Sequence, residues 1–89
     1  MVYITHVRLS ASGHRHEHIT HVQWNQPSTG KTDSSTVAQM VEWIEKGNQA
    51  KVTDGRNTVD VHVVKANPTY LRTVADGKYT DNLLSLPRF

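Results

Sequence analysis

The stretch YITHVRL, residues 3–9, is echoed in part by ITHVQW, residues 19–24, and this pair of segments decides how the chain folds. Tyr3, Thr5, Val7 and Leu9 alternate with Ile4, His6 and Arg8, the period-2 signature of a half-buried strand. The four residues Ile4-Thr5-His6-Val7 recur as Ile19-Thr20-His21-Val22. Strict alternation puts Thr and Val of both copies on one face, extended by Leu9 and Trp24, and Ile and His on the other. Two antiparallel strands, about residues 3–9 and 18–25, are predicted to share the Thr/Val face as core. Opposite it, Ile4, His6, Ile19 and His21 make a stripe suited to a subunit interface, a shallow ligand floor or packing for the C-terminal tail.

Working outward, Ser10 to Arg15, centred on Ser12-Gly13, reads as a turn. His14, His16 and His18 follow at i, i+2, i+4, a spacing that stacks side chains on one face of an extended strand. Neutral imidazole suits zinc or nickel. The first two lie beside Gly13, however, and His18 shares parity with Thr20, Val22 and Trp24, so a polar hairpin is expected and no metal is assigned.

Gln26 to Thr32 is a loop of turn formers, and Asp33, Ser34 and Ser35 offer N-cap oxygens to a helix. Val37, Met40, Val41 and Ile44 recur at i, i+3, i+4 and i+7, with Trp43 flanking this apolar stripe. Gly47-Asn48 supplies the stop. Short strands are then predicted at Ala50–Thr53, Thr58–Val64, Tyr70–Ala75 and Lys78–Thr80, with turns at Asp54-Gly55-Arg56-Asn57 and Asp76-Gly77 and a break at Asn67-Pro68. The expected fold is α+β: a small antiparallel sheet of four to six short strands packed against one central helix, in ββαβββ order, as a single domain over residues 1–89.

A chain of 89 residues without cysteine has a modest core and no disulfide to staple it, so a homo-oligomer is expected to bury more surface. No apolar run approaches a membrane span and the start lacks a signal-peptide pattern, which makes a cytoplasmic protein the expectation. The formal charge of +2 permits anionic ligands, yet no Lys/Arg run resembles a nucleic-acid tail. Catalysis has little to stand on. There is no Gly-x-Ser-x-Gly elbow, and Asp60-Val61-His62 could be an acid–His pair or simple cross-strand pairing. Ser28-Thr29-Gly30-Lys31-Thr32 ends like a phosphate loop but lacks its first glycine, leaving only a modest anion-binding option.

Residues 70–82 hold the richest recognition chemistry. Arg72 and Lys78 can neutralise phosphate. Tyr70, Tyr79 or Trp24 can stack on a base, while Thr73 and Asn82 can hydrogen-bond to polar edges. A solvated surface hairpin is the competing reading of the same residues.

Residues 3–9, 19–24 and 40–44, with Val52-Thr53-Asp54-Gly55, Tyr70–Thr73 and Asp81–Pro87, resemble the family labelled domain of unknown function 3892. The resemblance spans nearly the whole chain. It implies a short stand-alone protein of Gram-positive bacteria and their phages, with no catalytic residues to carry over. Its phage association implies an anti-defence role such as binding nucleotide signals without cleaving them. The expectation is therefore a non-enzymatic protein without cofactor that sequesters a small anionic, nucleotide-derived ligand such as a cyclic oligonucleotide or ADP-ribose derivative. The alternative is a nucleic-acid-binding or regulatory protein-interaction module using its sheet face.

Overall fold

A computed structural model describes residues 1–11, 13–53 and 55–89. The chain forms β1 (Val2–Leu9), a 3-10 turn (His16–His18), β2 (Ile19–Gln26), β3 (Lys31–Thr36), α1 (Val37–Glu45), β4 (Ala50–Thr53), β5 (Thr58–Val64), β6 (Tyr70–Ala75) and β7 (Lys78–Thr80). All strands join one seven-stranded sheet in the order β3-β2-β1-β4-β5-β6-β7. The α+β class expected from the sequence holds, but the sheet has more than four to six strands and the order is not ββαβββ.

The additional strand is β3. Its sequence, Lys31-Thr32-Asp33-Ser34-Ser35-Thr36, has no apolar alternation because it is an edge strand with almost no buried side chain. It pairs antiparallel with β2 from His21↔Thr36 to Gln26↔Lys31, so main-chain bonds hold it. Polar composition on a sheet edge also discourages pairing with other chains. The helix consequently starts later than Asp33–Ser35 suggest. Thr36 is the N-cap, accepting from the Gln39 amide at 3.1 Å while the Gln39 side chain accepts from the Thr36 amide at 2.9 Å. This reciprocal capping box satisfies two amides that helix geometry would leave free.

The helix also carries the chain across, so that β4 pairs parallel with β1 through Val2↔Ala50 and Tyr3↔Lys51. The sheet is therefore mixed. Beyond Tyr3, β1 exchanges β4 for the C-terminal tail: the Val7 amide donates to the Pro87 carbonyl at 3.0 Å, and Val7 bridges Arg88 in parallel. Leu83, fully buried, anchors that tail in the core.

The parity of β1 and β2 departs from strict alternation. Ile4 pairs with Trp24 and His6 with Gln23, which leaves Thr5 as an extra residue on β1. Arg8 pairs with His21 and Leu9 with Ile19, which leaves Thr20 extra on β2. Each bulge reverses the alternation beyond it, so Ile4, Val7, Ile19 and Val22 all enter the core at 5 % exposure or less. The expected outward Ile/His stripe is thus corrected in its isoleucines, which are core, while His6 and His21 face outward, half-buried, and the C-terminal tail packs at His6 through the edge-on Phe89 ring. Each bulge hydroxyl bonds across the ladder, Thr5 Oγ1 to the Gln23 carbonyl at 3.2 Å and Thr20 Oγ1 to the Arg8 carbonyl at 3.1 Å.

The core face unites Val2, Ile4, Val7, Ile19, Val22, Ala50, Val52, Val61 and Leu71 under Met40 of α1, with Val37, Val41 and Ile44 packed against it. At the far edge, Asp76 (φ 54°) and Gly77 (φ 76°) both take positive φ, the requirement of a type I′ hairpin turn. That turn, and the bounds of β4 to β7, match the sequence expectation. Ser12 and Asp54 of the two other expected turns lie outside the described residues.

Candidate ligand site

The helix does not cover the sheet completely. A cleft of about 470 Å³ opens beside the start of α1, lined by Val2, Trp24, Asp33, Ser35, Met40 and Trp43, with Gln26 and Gln39 among its polar groups. Its construction follows from the strands beneath it. Trp24 shares the core face of β2 with Val22, because an intact ladder separates the two residues. Next to it lies β3, whose Asp33 and Ser35 on that face are short and polar and leave a cleft beside the indole. Trp43 flanks the apolar stripe of α1 and reaches the same space. Buried Val2 and Met40, each at 3 % exposure, form the apolar floor.

Polar groups fix the cleft's geometry. The Trp24 indole N–H donates to Ser35 Oγ at 3.0 Å, setting the ring against the edge strand. Asp33 Oδ1 accepts from the Ser34 amide at 2.8 Å. The ammonium of Lys31 stands 5.9 Å from the Trp24 ring centroid, within cation–π range. A volume in the 300–1,000 Å³ range, aromatic walls and a few fixed polar groups are the usual attributes of a small-molecule site.

The residues read as ligand-binding from the sequence do not converge. Trp24 lies on β2, whereas Tyr70, Arg72, Thr73, Lys78 and Tyr79 lie on β6 and β7 at the opposite side of the sheet order. Within that second group the polar side chains already serve one another. Arg72 donates to Asp81 at 3.2 Å and to the Thr80 carbonyl at 3.4 Å, and its guanidinium sits 5.1 Å from the Tyr79 ring centroid. Thr73 is fully buried and shares a 2.7 Å hydroxyl pair with Thr80. Asn82 is half-buried, while Lys78 and Tyr79 remain exposed, the latter at 57 %.

The histidine-rich turn also differs from its reading as a solvated hairpin. Residues 16–18 are 3-10 rather than extended, so the i, i+2, i+4 stacking of His14, His16 and His18 does not apply. His14 is exposed and His18 half-buried, its Nδ1 accepting from the Arg15 amide at 3.1 Å. His16 is buried, with its ring centroid 6.3 Å from that of Tyr70 and Nε2 3.8 Å from Asp81, too far for a hydrogen bond. Burial pushes its pKa below the ordinary imidazole value, nearby Arg72 adds to this, and Asp81 and Glu17 act in the opposite direction. Among the described residues, no group of three or more His, Asp or Glu side chains is placed to hold a metal ion.

Asp60 and His62 do share a face of β5, but Asp60 is engaged across the ladder by Lys51 at 2.7 Å. That hydrogen bond holds its carboxyl below the ordinary carboxylate range. His62 is opposite Arg72 in the register, and its nearby ring adds only a lesser lowering to Asp60 after Lys51.

Sequence reasoning missed Trp43, Asp33 and Ser35 as site residues. The available signal was Trp43 beside, rather than on, the helix stripe: a large aromatic at that position covers only part of the surface below.

Fold and cleft together define a small helix-on-sheet unit with a recess lined by two tryptophans. The chain belongs to the family described as "Protein of unknown function (DUF3892)", whose model matches residues 3–87. No curated protein and no solved structure matches it. Among the described residues, no helix is long and apolar enough to cross a membrane.

Proposed function

We propose that this protein is a non-enzymatic binder of a small nucleotide-derived ligand, taken up with its base between Trp24 and Trp43. The two indoles lining one cleft carry the reading, since every base has a π face that stacks on an aromatic side chain. Lys31 at Trp24 provides the cation for a phosphate, in place of Arg72, which Asp81 occupies. Among the described residues, the lining contains one carboxylate, Asp33, and no imidazole. That composition favours binding over acid–base chemistry.

Tryptophan fluorescence and calorimetry with AMP, ADP-ribose and cyclic dinucleotides test this directly. Saturable quenching by at least one is expected, with the ligand recovered at unchanged mass. Trp24→Ala and Trp43→Ala should each weaken binding about 10-fold or more, as loss of a stacking platform costs about 1–3 kcal/mol per base. No saturable binding across the panel would reject the reading, and a chemically altered nucleotide would replace it with an enzyme. Affinity for DNA or RNA that collapses between about 50 and 200 mM salt would favour the nucleic-acid alternative.

A further inference from the structure

The repeated Ile-Thr-His-Val segments are related in space as well as in sequence. Val7 pairs with Val22, and about that pair the register is symmetric: His6↔Gln23 corresponds to Arg8↔His21, and Ile4↔Trp24 to Leu9↔Ile19. The Thr5 bulge corresponds to the Thr20 bulge. β1 and β2 therefore carry a local two-fold, with His6 and His21 diagonal to one another on the same outward face, half-buried, the Phe89 ring standing edge-on to His6 at 6.5 Å between centroids.

The hydrogen bonds repeat too. His6 Nδ1 lies 3.0 Å from Thr5 Oγ1, and His21 Nδ1 lies 2.9 Å from Thr20 Oγ1. Each threonine hydroxyl has a single proton, which it donates to a main-chain carbonyl across the ladder. Toward the imidazole it can only accept, which fixes the proton on Nδ1 of both rings. The Nε2 lone pairs are left available. Metal-ligating histidines are oriented this way, the distal ring N–H donating to an oxygen that is itself anchored. Arg8, opposite His21, is drawn aside: its Nε donates to the Phe89 main-chain oxygen at 2.9 Å and its guanidinium lies 4.4 Å from the Phe89 ring centroid.

We propose that His6 and His21 form a two-histidine site for a divalent transition metal ion, coordinated through Nε2 of each ring and completed by water. Imidazole donors select zinc, nickel or copper over magnesium or calcium. The site is independent of the tryptophan cleft, because both histidines project from the other face of β1 and β2.

Calorimetric titration of tag-free protein with Zn²⁺ and Ni²⁺, against Mg²⁺, tests the site. One equivalent of Zn²⁺ or Ni²⁺ should bind, and His6→Gln and His21→Gln should each abolish it, whereas His14→Gln should not change it. Thr5→Val and Thr20→Val keep both imidazoles but remove their anchors, and should weaken binding about 10–100-fold. Imidazole ¹⁵N shifts of the unsubstituted protein should show the Nδ1–H tautomer at both positions before metal is added, a readout that requires no variant to fold. Absence of saturable Zn²⁺ or Ni²⁺ binding, its survival in either histidine variant, or Nε2–H tautomers at both rings would overturn the proposal.

Discussion

The imidazole of His16 lies against the phenol ring of Tyr70, their planes tilted by 33°, so the histidine-rich turn is seated on β6. Its Nε2 is buried with no hydrogen-bond partner among the described residues. Protonating that nitrogen places a charge where little water can reach it and where Arg72 stands nearby.

This contact makes stability depend on pH in a defined direction. The folded pKa of His16 is lowered from 6.5, so the unfolded chain binds its proton first as pH falls. The contribution of a neutral His16 is complete above the unfolded value and is lost as pH drops from 6.5 through the folded value. Urea unfolding of the parent and His16→Gln at a series of pH values should show a steeper fall in the parent just below 6.5. Parallel profiles would show that His16 titrates as it does unfolded.

Gly13 is buried, and a Cβ there would collide with the Cβ and ring of His18. Gly13→Ala should therefore destabilise the protein by about 1–3 kcal/mol, the usual cost of forcing extra atoms into a packed site. The midpoint of denaturant unfolding reads this out. A variant as stable as the parent would mean that the turn can move away from β6 freely.

Leu83 tests the tail. Truncation to alanine removes a fully buried side chain and should cost about 2–5 kcal/mol. Hydrogen exchange should place the largest local effect at the Val7 amide, whose acceptor is Pro87. Uniformly accelerated exchange would indicate that the tail has no separate opening motion.

The helix start gives a smaller effect. Thr36→Ala should cost about 1 kcal/mol through loss of the cap. Adding Gln39→Ala should cost less than its effect alone, because the two side chains belong to one reciprocal arrangement. Strict additivity in a double-mutant cycle would argue against the capping box.

Much of this architecture is legible without coordinates. The bounds of β5, β6 and β7 follow from alternation punctuated by Gly55, the Asn67-Pro68 break and Asp76-Gly77, and α1 from its 3.6-residue stripe. β3 was hidden because an edge strand without a buried face carries no hydrophobic signal. The parity of β1 and β2 was misread for a local reason. Ile4 and Val7, like Ile19 and Val22, are three apart, and a strand can bury both only by inserting an extra residue. The spacing was visible twice and pointed to a bulge, but the rule of alternation concealed it. The cleft depends on which side chains leave space empty between α1 and β2, and periodicity does not report that.

The exchange of partners along β1 also sets the order in which the molecule can be completed. β1 precedes the strands it pairs with in the chain, yet it needs Ala50 beside Val2 and Pro87 beside Val7. Its nearest partner in sequence, β2, can form a hairpin with it during synthesis, while its other edge stays unpaired at Val2 until Ala50 has emerged and at Val7 until Pro87 has. Long-range closure of this kind is slow compared with local pairing. For this protein, Pro87 and Arg88 determine when Val7 gains its second neighbour.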